Sequence, residues 1–207
     1  MVSHKEAPIP MSTSTNLLAA RFQFGRDPDQ QLPPSTEEAV DDLAVRRWFR
    51  GYDRGRDLGR AELEVLVDDL CARPELWRHL IRRSGDHRHY VRLLLDRHVE
   101  IWLICWCASQ DTGFHDHDGS SGAVGVVEGA VTETLLRVDG VNPITLHPSG
   151  ARFSFGGSHI HDVQHAKGDP AASLHVYSPP LRDMGFYDAT GDGTLQRFTA
   201  DAEREFC

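Results

Sequence analysis

No stretch of this sequence approaches the roughly 20 consecutive apolar residues that a membrane-spanning helix needs, so none is expected. Positive charge is in short supply: 22 Lys and Arg face 31 Asp and Glu, a formal net charge of −9. That balance argues against nucleic acid or an anionic membrane surface as partner, since either wants a basic patch. Cysteine is sparse too. Cys105 and Cys107 sit in an apolar run, Cys71 in a segment of helical pattern and Cys207 at the last position. This scatter suggests neither a disulfide framework nor a cysteine-ligated zinc site. The first residues carry one Lys, several Pro and Ser, and no apolar block of the kind a secretory leader has. A cytoplasmic protein with reduced thiols is the expectation.

The rest of the composition is ordinary for a globular chain, 40% hydrophobic and 26% charged. A length of 207 residues fits one domain with a short extension. Residues 1–34, rich in Ser, Thr, Pro and Gln, read as a poorly ordered extension, and residues 35–207 as the domain. Ser35 and Glu38 make a capping-box pattern ahead of Val40, Leu43 and Trp48. Leu63, Leu66, Val67 and Leu70 recur at helical spacing, and Pro74 suits the first turn of a further helix. Helices are therefore expected over about 35–83. From residue 89 short apolar, β-branched runs alternate with Gly, Asp, Pro and Ser turns. They predict strands at about 89–96, 99–107, 122–128, 130–138, 144–147, 151–155, 160–165 and 171–178. The order, helices and then many strands, reads as α+β and mainly β: a helical cap on a β-barrel spanning about 89–180. Residues 181–207 read as a C-terminal extension.

Twelve histidines are many for this length. His4, His79, His87, His89 and His98 lie in the N-terminal tail or among Arg and Asp and read as surface residues. His115-Asp116-His117 differs, because alternate residues of a strand share a face and two imidazoles there can share a metal ion. Alone, this pattern would more often be an incidental polar turn. Its context changes that: Glu128-Gly129 follows, and later Gly156-Gly157-Ser158-His159-Ile160-His161 brings more histidines before another strand. A barrel can bring the two segments together.

The H-x-H with Gly129 twelve residues beyond His117 resembles the first cupin motif, and the later Gly-rich turn with its His resembles the second. Many cupins carry a Glu ligand four or five residues after the second His; here those places hold Ser121 and Gly122. The absence points to a three-histidine iron site, as in the cysteine dioxygenase family. Tyr90-Val91-Arg92 resembles that family's Tyr-x-Arg strand, Gly129 to Leu135 its Gly-x-Leu-x-Glu-Thr strand, and Ser173-Leu174-His175-Val176-Tyr177-Ser178-Pro179-Pro180 its Ser-Leu-His-x-Tyr-Ser-Pro-Pro segment. The likeness covers about residues 75–185.

The resemblance implies a double-stranded β-helix (cupin) fold, Fe(2+) on His115, His117 and His161, and oxidation of L-cysteine by O2 to cysteine sulfinic acid. It implies a hydrogen-bonded relay of Ser173, His175 and Tyr177. Arg92 would hold the substrate carboxylate, for which a guanidinium fork is suited, with Tyr90 nearby. It also implies a cis bond before Pro179. Mammalian members carry a Cys that forms a thioether with the relay Tyr; its place here is Gly122, so an unmodified Tyr177 is expected, with an ordinary phenol pKa unless the site perturbs it. His161 is preferred over His159 as third ligand by family register, while His147, His159 and His165 have no assigned role. A monomer is expected. The competing readings are a dioxygenase of another small thiol such as 3-mercaptopropionate, a non-catalytic metal-binding cupin, and a three-histidine zinc hydrolase.

Overall fold

The computed structural model describes residues 43–137, 142–189 and 194–201. The expected N-terminal extension and the helix start at Ser35 lie outside these residues. Among the described residues two α-helices come first, α1 (Leu43–Phe49) and α2 (Arg60–Cys71). In α2 the predicted stripe of Leu63, Leu66, Val67 and Leu70 is buried, and the Glu62 carboxylate accepts the Gly59 N–H at 2.9 Å to close the first turn. The helix expected at Pro74 is instead two short 3-10 turns, Pro74–Leu76 and Arg78–Leu80. Trp77 separates them at φ −141°. It is buried, and its indole N–H donates to the Leu70 carbonyl at 3.0 Å. Seating that ring under the end of α2 takes the backbone out of helical geometry.

Among the described residues eleven strands follow: β1 (His89–Leu95), β2 (Glu100–Trp106), β3 (His115–Asp116), β4 (Ser121–Glu128), β5 (Ala130–Leu135), β6 (Ile144–Pro148), β7 (Arg152–Phe155), β8 (His161–His165), β9 (Ala171–Ser178), β10 (Asp183–Ala189) and β11 (Leu195–Asp201). They form a five-stranded sheet in the order β1-β2-β9-β4-β7 and a six-stranded sheet in the order β11-β10-β3-β8-β5-β6. Their strand pairs are antiparallel. This is the double-stranded β-helix of the cupins, mainly β with helices on the N-terminal side.

Every residue of β9 is buried, because both its faces are covered. Leu174 and Val176 join Leu63, Leu66 and Leu70 in a core between the helices and the five-stranded sheet. Tyr177 belongs to the second core, inside the barrel, with Trp102, Trp106, Val124 and Phe155. Strand alternation therefore sends Ser173, His175 and Tyr177 into the barrel.

Residues expected as a C-terminal extension form the β10–β11 hairpin, and β10 pairs with β3 so that Phe186 faces His115. The polar grip lies on Asp116, between the two histidines. Its carboxylate accepts from Arg197 Nε at 2.8 Å and from the Tyr187 hydroxyl at 2.5 Å. Burial would raise the Asp116 pKa, but these bonds outweigh it and hold the group below the usual carboxylate range. The Ser178–Pro179 bond is cis, as expected from the sequence. Among the described residues no helix is long and apolar enough to cross a membrane.

Candidate metal centre and relay

β3 is only two residues long. His117 lies just past its end, before Asp118 and Gly119 turn the chain at φ 46° and 93°. The alternation expected from the sequence still holds: the His115 and His117 rings are 4.8 Å apart, and His161, paired with His115 across β3 and β8, brings its ring to 4.7 Å and 5.1 Å from them. One ring nitrogen from each lies within 4.8 Å of the others. All three are buried.

The hydrogen bonds decide which nitrogens are available. His115 Nδ1 lies 3.0 Å from the Gly113 carbonyl and His161 Nδ1 lies 2.7 Å from Glu133 Oε1. Both acceptors call for a proton on Nδ1, which leaves the lone pair on Nε2. Neither nitrogen of the buried His117 ring has a hydrogen-bond partner. Leaving buried polar atoms unpaired is costly, and a ligand bond to a metal ion resolves the cost. Burial, followed by the neighbouring imidazoles, holds His115 and His117 well below the usual imidazole pKa. The rings are thus in the neutral form that ligation requires. The three side chains fit a metal ion with open positions, and imidazole ligands suit iron among several others.

Glu133 was legible in the sequence only as one letter of a strand motif. It is a buried carboxylate that takes three histidines: His161, His159 at 2.9 Å and His147 at 3.2 Å. Burial alone would raise its pKa; the three histidine contacts outweigh that and hold it low. His147 and His159, unassigned from sequence, thereby gain a place. Their rings stack on Phe153 at 4.1 Å and Phe155 at 5.0 Å. His165, by contrast, lies 3.0 Å from the Asp169 carbonyl. The Glu133–His161 contact has the form of the carboxylate–histidine pairs that orient metal ligands. Glu133→Gln is expected to weaken metal binding by about 10- to 100-fold, read as metal lost to a competing chelator. Unchanged affinity would mean that Glu133 only fills space.

Ser173, His175 and Tyr177 are brought together on one face of β9. Ser173 Oγ is 2.8 Å from His175 Nε2, and His175 Nδ1 is 3.2 Å from the Tyr177 hydroxyl. A fourth member went unseen in the sequence: the Trp106 indole N–H donates to Ser173 Oγ at 2.8 Å. Indole N–H is a donor only. Ser173 can accept that bond and pass its own proton to Nε2; His175 then donates from Nδ1 to the Tyr177 oxygen, and the phenol proton stays free to point away from the relay. Burial pushes the His175 pKa down to about 3, so the ring is neutral near pH 7. The site does perturb Tyr177: burial, then the nearby Glu100, raises its pKa well above the usual phenol value.

Gly122 pairs directly with Tyr177 across β4 and β9. A Cβ there would lie 3.1 Å from the Tyr177 ring and would collide with the Phe155 ring. Phe155 also stacks on His117 at 4.6 Å. An aromatic ring thus fills the space beside Tyr177 where a larger residue on β4 would project.

A cavity opens onto this centre. His115, His161, His175, Tyr177, Thr112 and Arg88 supply its polar lining, and Ile104, Val163, Met184 and Phe186 its apolar walls. Arg92, expected as carboxylate clamp, does not line it. Its guanidinium lies 5.4 Å over the Trp102 ring and 3.7 Å from the buried Glu100. Tyr90 packs edge-on against Trp102 at 5.9 Å and is likewise outside the lining. Among the histidines read as surface residues, His79 and His87 are exposed. His89 is instead buried on β1, because the covered face of that strand takes it in, and His98 is half-buried 2.8 Å from Asp57.

Residues 57–190 match the family model of cysteine dioxygenase type I. Cysteine dioxygenase type 1 of Danio rerio is 25% identical over 142 residues, 61% of this chain and 69% of that protein. The Rattus norvegicus enzyme of the same name is 24% identical over 148 residues, 65% of this chain and 72% of its own. Among solved structures, a Klebsiella pneumoniae protein with a double-stranded β-helix domain superposes with a TM-score of 0.43 at 13% identity, covering 58% of this chain and 91% of that one. The family match runs across both helical turns, the histidine cluster and the relay strand, so the chain belongs to the cysteine dioxygenase type I family.

Proposed function

We propose that this protein is a thiol dioxygenase that converts L-cysteine and O2 to cysteine sulfinic acid at Fe(2+) held by His115, His117 and His161. The observation that carries the reading is the junction of two sites: the relay ends on Tyr177 in the cavity that also exposes His115 and His161. The reaction balances without a further reductant, since sulfur gives four electrons and takes both oxygen atoms. Bound iron would supply open coordination positions and the redox chemistry for O2.

The protein's own groups supply the rest. His115, His117 and His161 stay neutral, and Glu133 fixes the tautomer of His161. The Tyr177 hydroxyl, held by His175, offers a proton to a substrate oxygen or sulfur beside it and stays protonated at working pH. Ile104, Val163, Met184 and Phe186 keep bulk water from the thiol. The family resemblance gives the carboxylate to Arg92 with Tyr90 beside it. Arg88, just before β1 and in the cavity lining, is a second candidate. The reading includes a monomer in a reducing cytoplasm, the latter supported by free thiols at Cys71, Cys105 and Cys107.

A non-catalytic metal-binding cupin would have no use for the relay, and a zinc hydrolase would not need a thiol. Purified protein is expected to take up O2 with L-cysteine, lose this on chelation and regain it with Fe(2+) but not Zn(2+). Recovery with zinc, or full activity without metal, would defeat the proposal.

A further inference from the structure

The two nitrogens of an imidazole point in different directions, and in His161 each has its own surroundings. Nε2 is left for the triangle with His115 and His117, while Nδ1 lies 2.7 Å from Glu133 Oε1. That oxygen also takes His159 Nε2 at 2.9 Å. Glu133, His159 and His161 therefore form a second grouping of close donor atoms, which shares His161 with the first. The His159 and His161 rings are 4.8 Å apart, the same separation as His115 and His117. A carboxylate oxygen and two imidazole nitrogens are a donor set that zinc takes, with a fourth position open to water.

The neighbours hold this second grouping in place. His147 Nε2, 3.2 Å from Glu133 Oε2, secures the other carboxylate oxygen, as outer partners do for a metal ligand. Aromatic faces fix both outlying rings: His159 stacks on Phe155 and His147 on Phe153, with the planes 9° and 22° apart. There is also a way in. The side chains of His161 and Glu133 are 2% and 9% exposed, but that of His159 is 24% exposed. Glu133, His147 and His159 do not line the cavity beside Tyr177, so a cation entering past His159 need not cross it.

We propose that Glu133, His159 and Nδ1 of His161 bind a second divalent cation of the zinc class, so that the His161 imidazole bridges it to the metal on His115 and His117. The proposal rests on the three-histidine centre and not on the identity of the thiol or the reaction. His159 frees the lone pair of Nε2 by carrying its proton on Nδ1 instead. His161 has no such choice, because Nε2 is committed to the first metal; its Nδ1 proton leaves to solvent as the cation enters. Without the cation, the same groups close on one another through hydrogen bonds.

Iron-loaded protein is equilibrated with Zn(2+) without oxygen, desalted and assayed for both metals. About one zinc per chain is expected in addition to the iron. His159→Ala should keep most of its iron and lower zinc affinity by more than about 100-fold, the upper range for outer partners. His147→Gln touches only the far oxygen of Glu133 and should weaken zinc by about 10- to 100-fold. Zinc binding should release about one proton per chain into weakly buffered solution. Zinc that enters only by displacing iron, zinc held equally by wild type and His159→Ala, or no zinc retained would overturn the second site. Zinc held through His159 with no proton released would overturn the bridge. Zinc held through His159 in protein that binds no iron would sink the three-histidine iron reading and leave the second site standing.

Discussion

His161→Ala protein is expected to lose its iron on desalting, whereas His159→Ala keeps most of it. The two rings are 4.8 Å apart and both contact Glu133 Oε1, so sequence spacing alone does not separate them. Their surroundings do. His161 opens β8 opposite His115 and is buried within the triangle of imidazoles. His159 precedes the strand and turns Nε2 to Glu133, which spends that nitrogen on a hydrogen bond. Its ring lies flat on Phe155, with the planes 9° apart. A direct ligand should matter more than the partner that orients it, so the loss in His161→Ala should exceed the roughly 100-fold upper range for outer partners. His159→Ala should fall within that range. Iron per chain, measured after desalting, reads both variants. The reverse order would move the metal toward the Glu133, His159 and His161 grouping, which also brings its donor atoms close together.

Tyr177→Phe is expected to reduce kcat/KM by about 10²- to 10⁴-fold, the usual range for a positioned acid–base group, with iron content unchanged. The substitution removes one hydroxyl from a buried ring and leaves His175 Nδ1 without its 3.2 Å partner. That costs about 1–3 kcal/mol of stability, too little to unfold most domains of this size. Ser173→Ala, two bonds up the relay, should cost less activity, since His175 keeps its tyrosine partner. Equal losses in both, together with lost iron, would indicate a structural role. The same hydroxyl should work without covalent modification. Gly122 faces the ring and Phe155 occupies the adjoining space, so the intact mass is expected to equal the sequence mass before and after turnover. A cross-linked Tyr177 peptide would contradict this.

Some of the site could be read from the chain because strand alternation projects it onto neighbouring letters. His115 with His117, and Ser173 with His175 and Tyr177, are each two residues apart, and the barrel turns that spacing into a shared face. The relay strand was the plainest signal, as an apolar run interrupted by polar residues that share one face. Interactions between distant residues left no local trace. Asp116 and Arg197 are 81 positions apart, and the β10–β11 hairpin that joins them has no continuous apolar stripe: Leu195 and Phe198 on β11 are substantially exposed. Glu133 collects histidines from two distant segments, His147 on β6 and His159 with His161 at the start of β8, so no short window of sequence shows the cluster. Two arginines near the start of the sheet were the hardest to tell apart. Arg88 just before β1 and Arg92 on it are four residues apart, and Glu100 beside one and the cavity beside the other separate them.

In the proposed reaction the thiol sulfur takes both atoms of one O2 molecule at the three-histidine centre. Iron-loaded protein given L-cysteine under ¹⁸O2 tests it in one mass spectrum of the product. The expected product is a sulfinate in which both sulfur-bound oxygens carry the label. Cystine as the sole product, or a sulfinate whose oxygens come from unlabelled water, would contradict it.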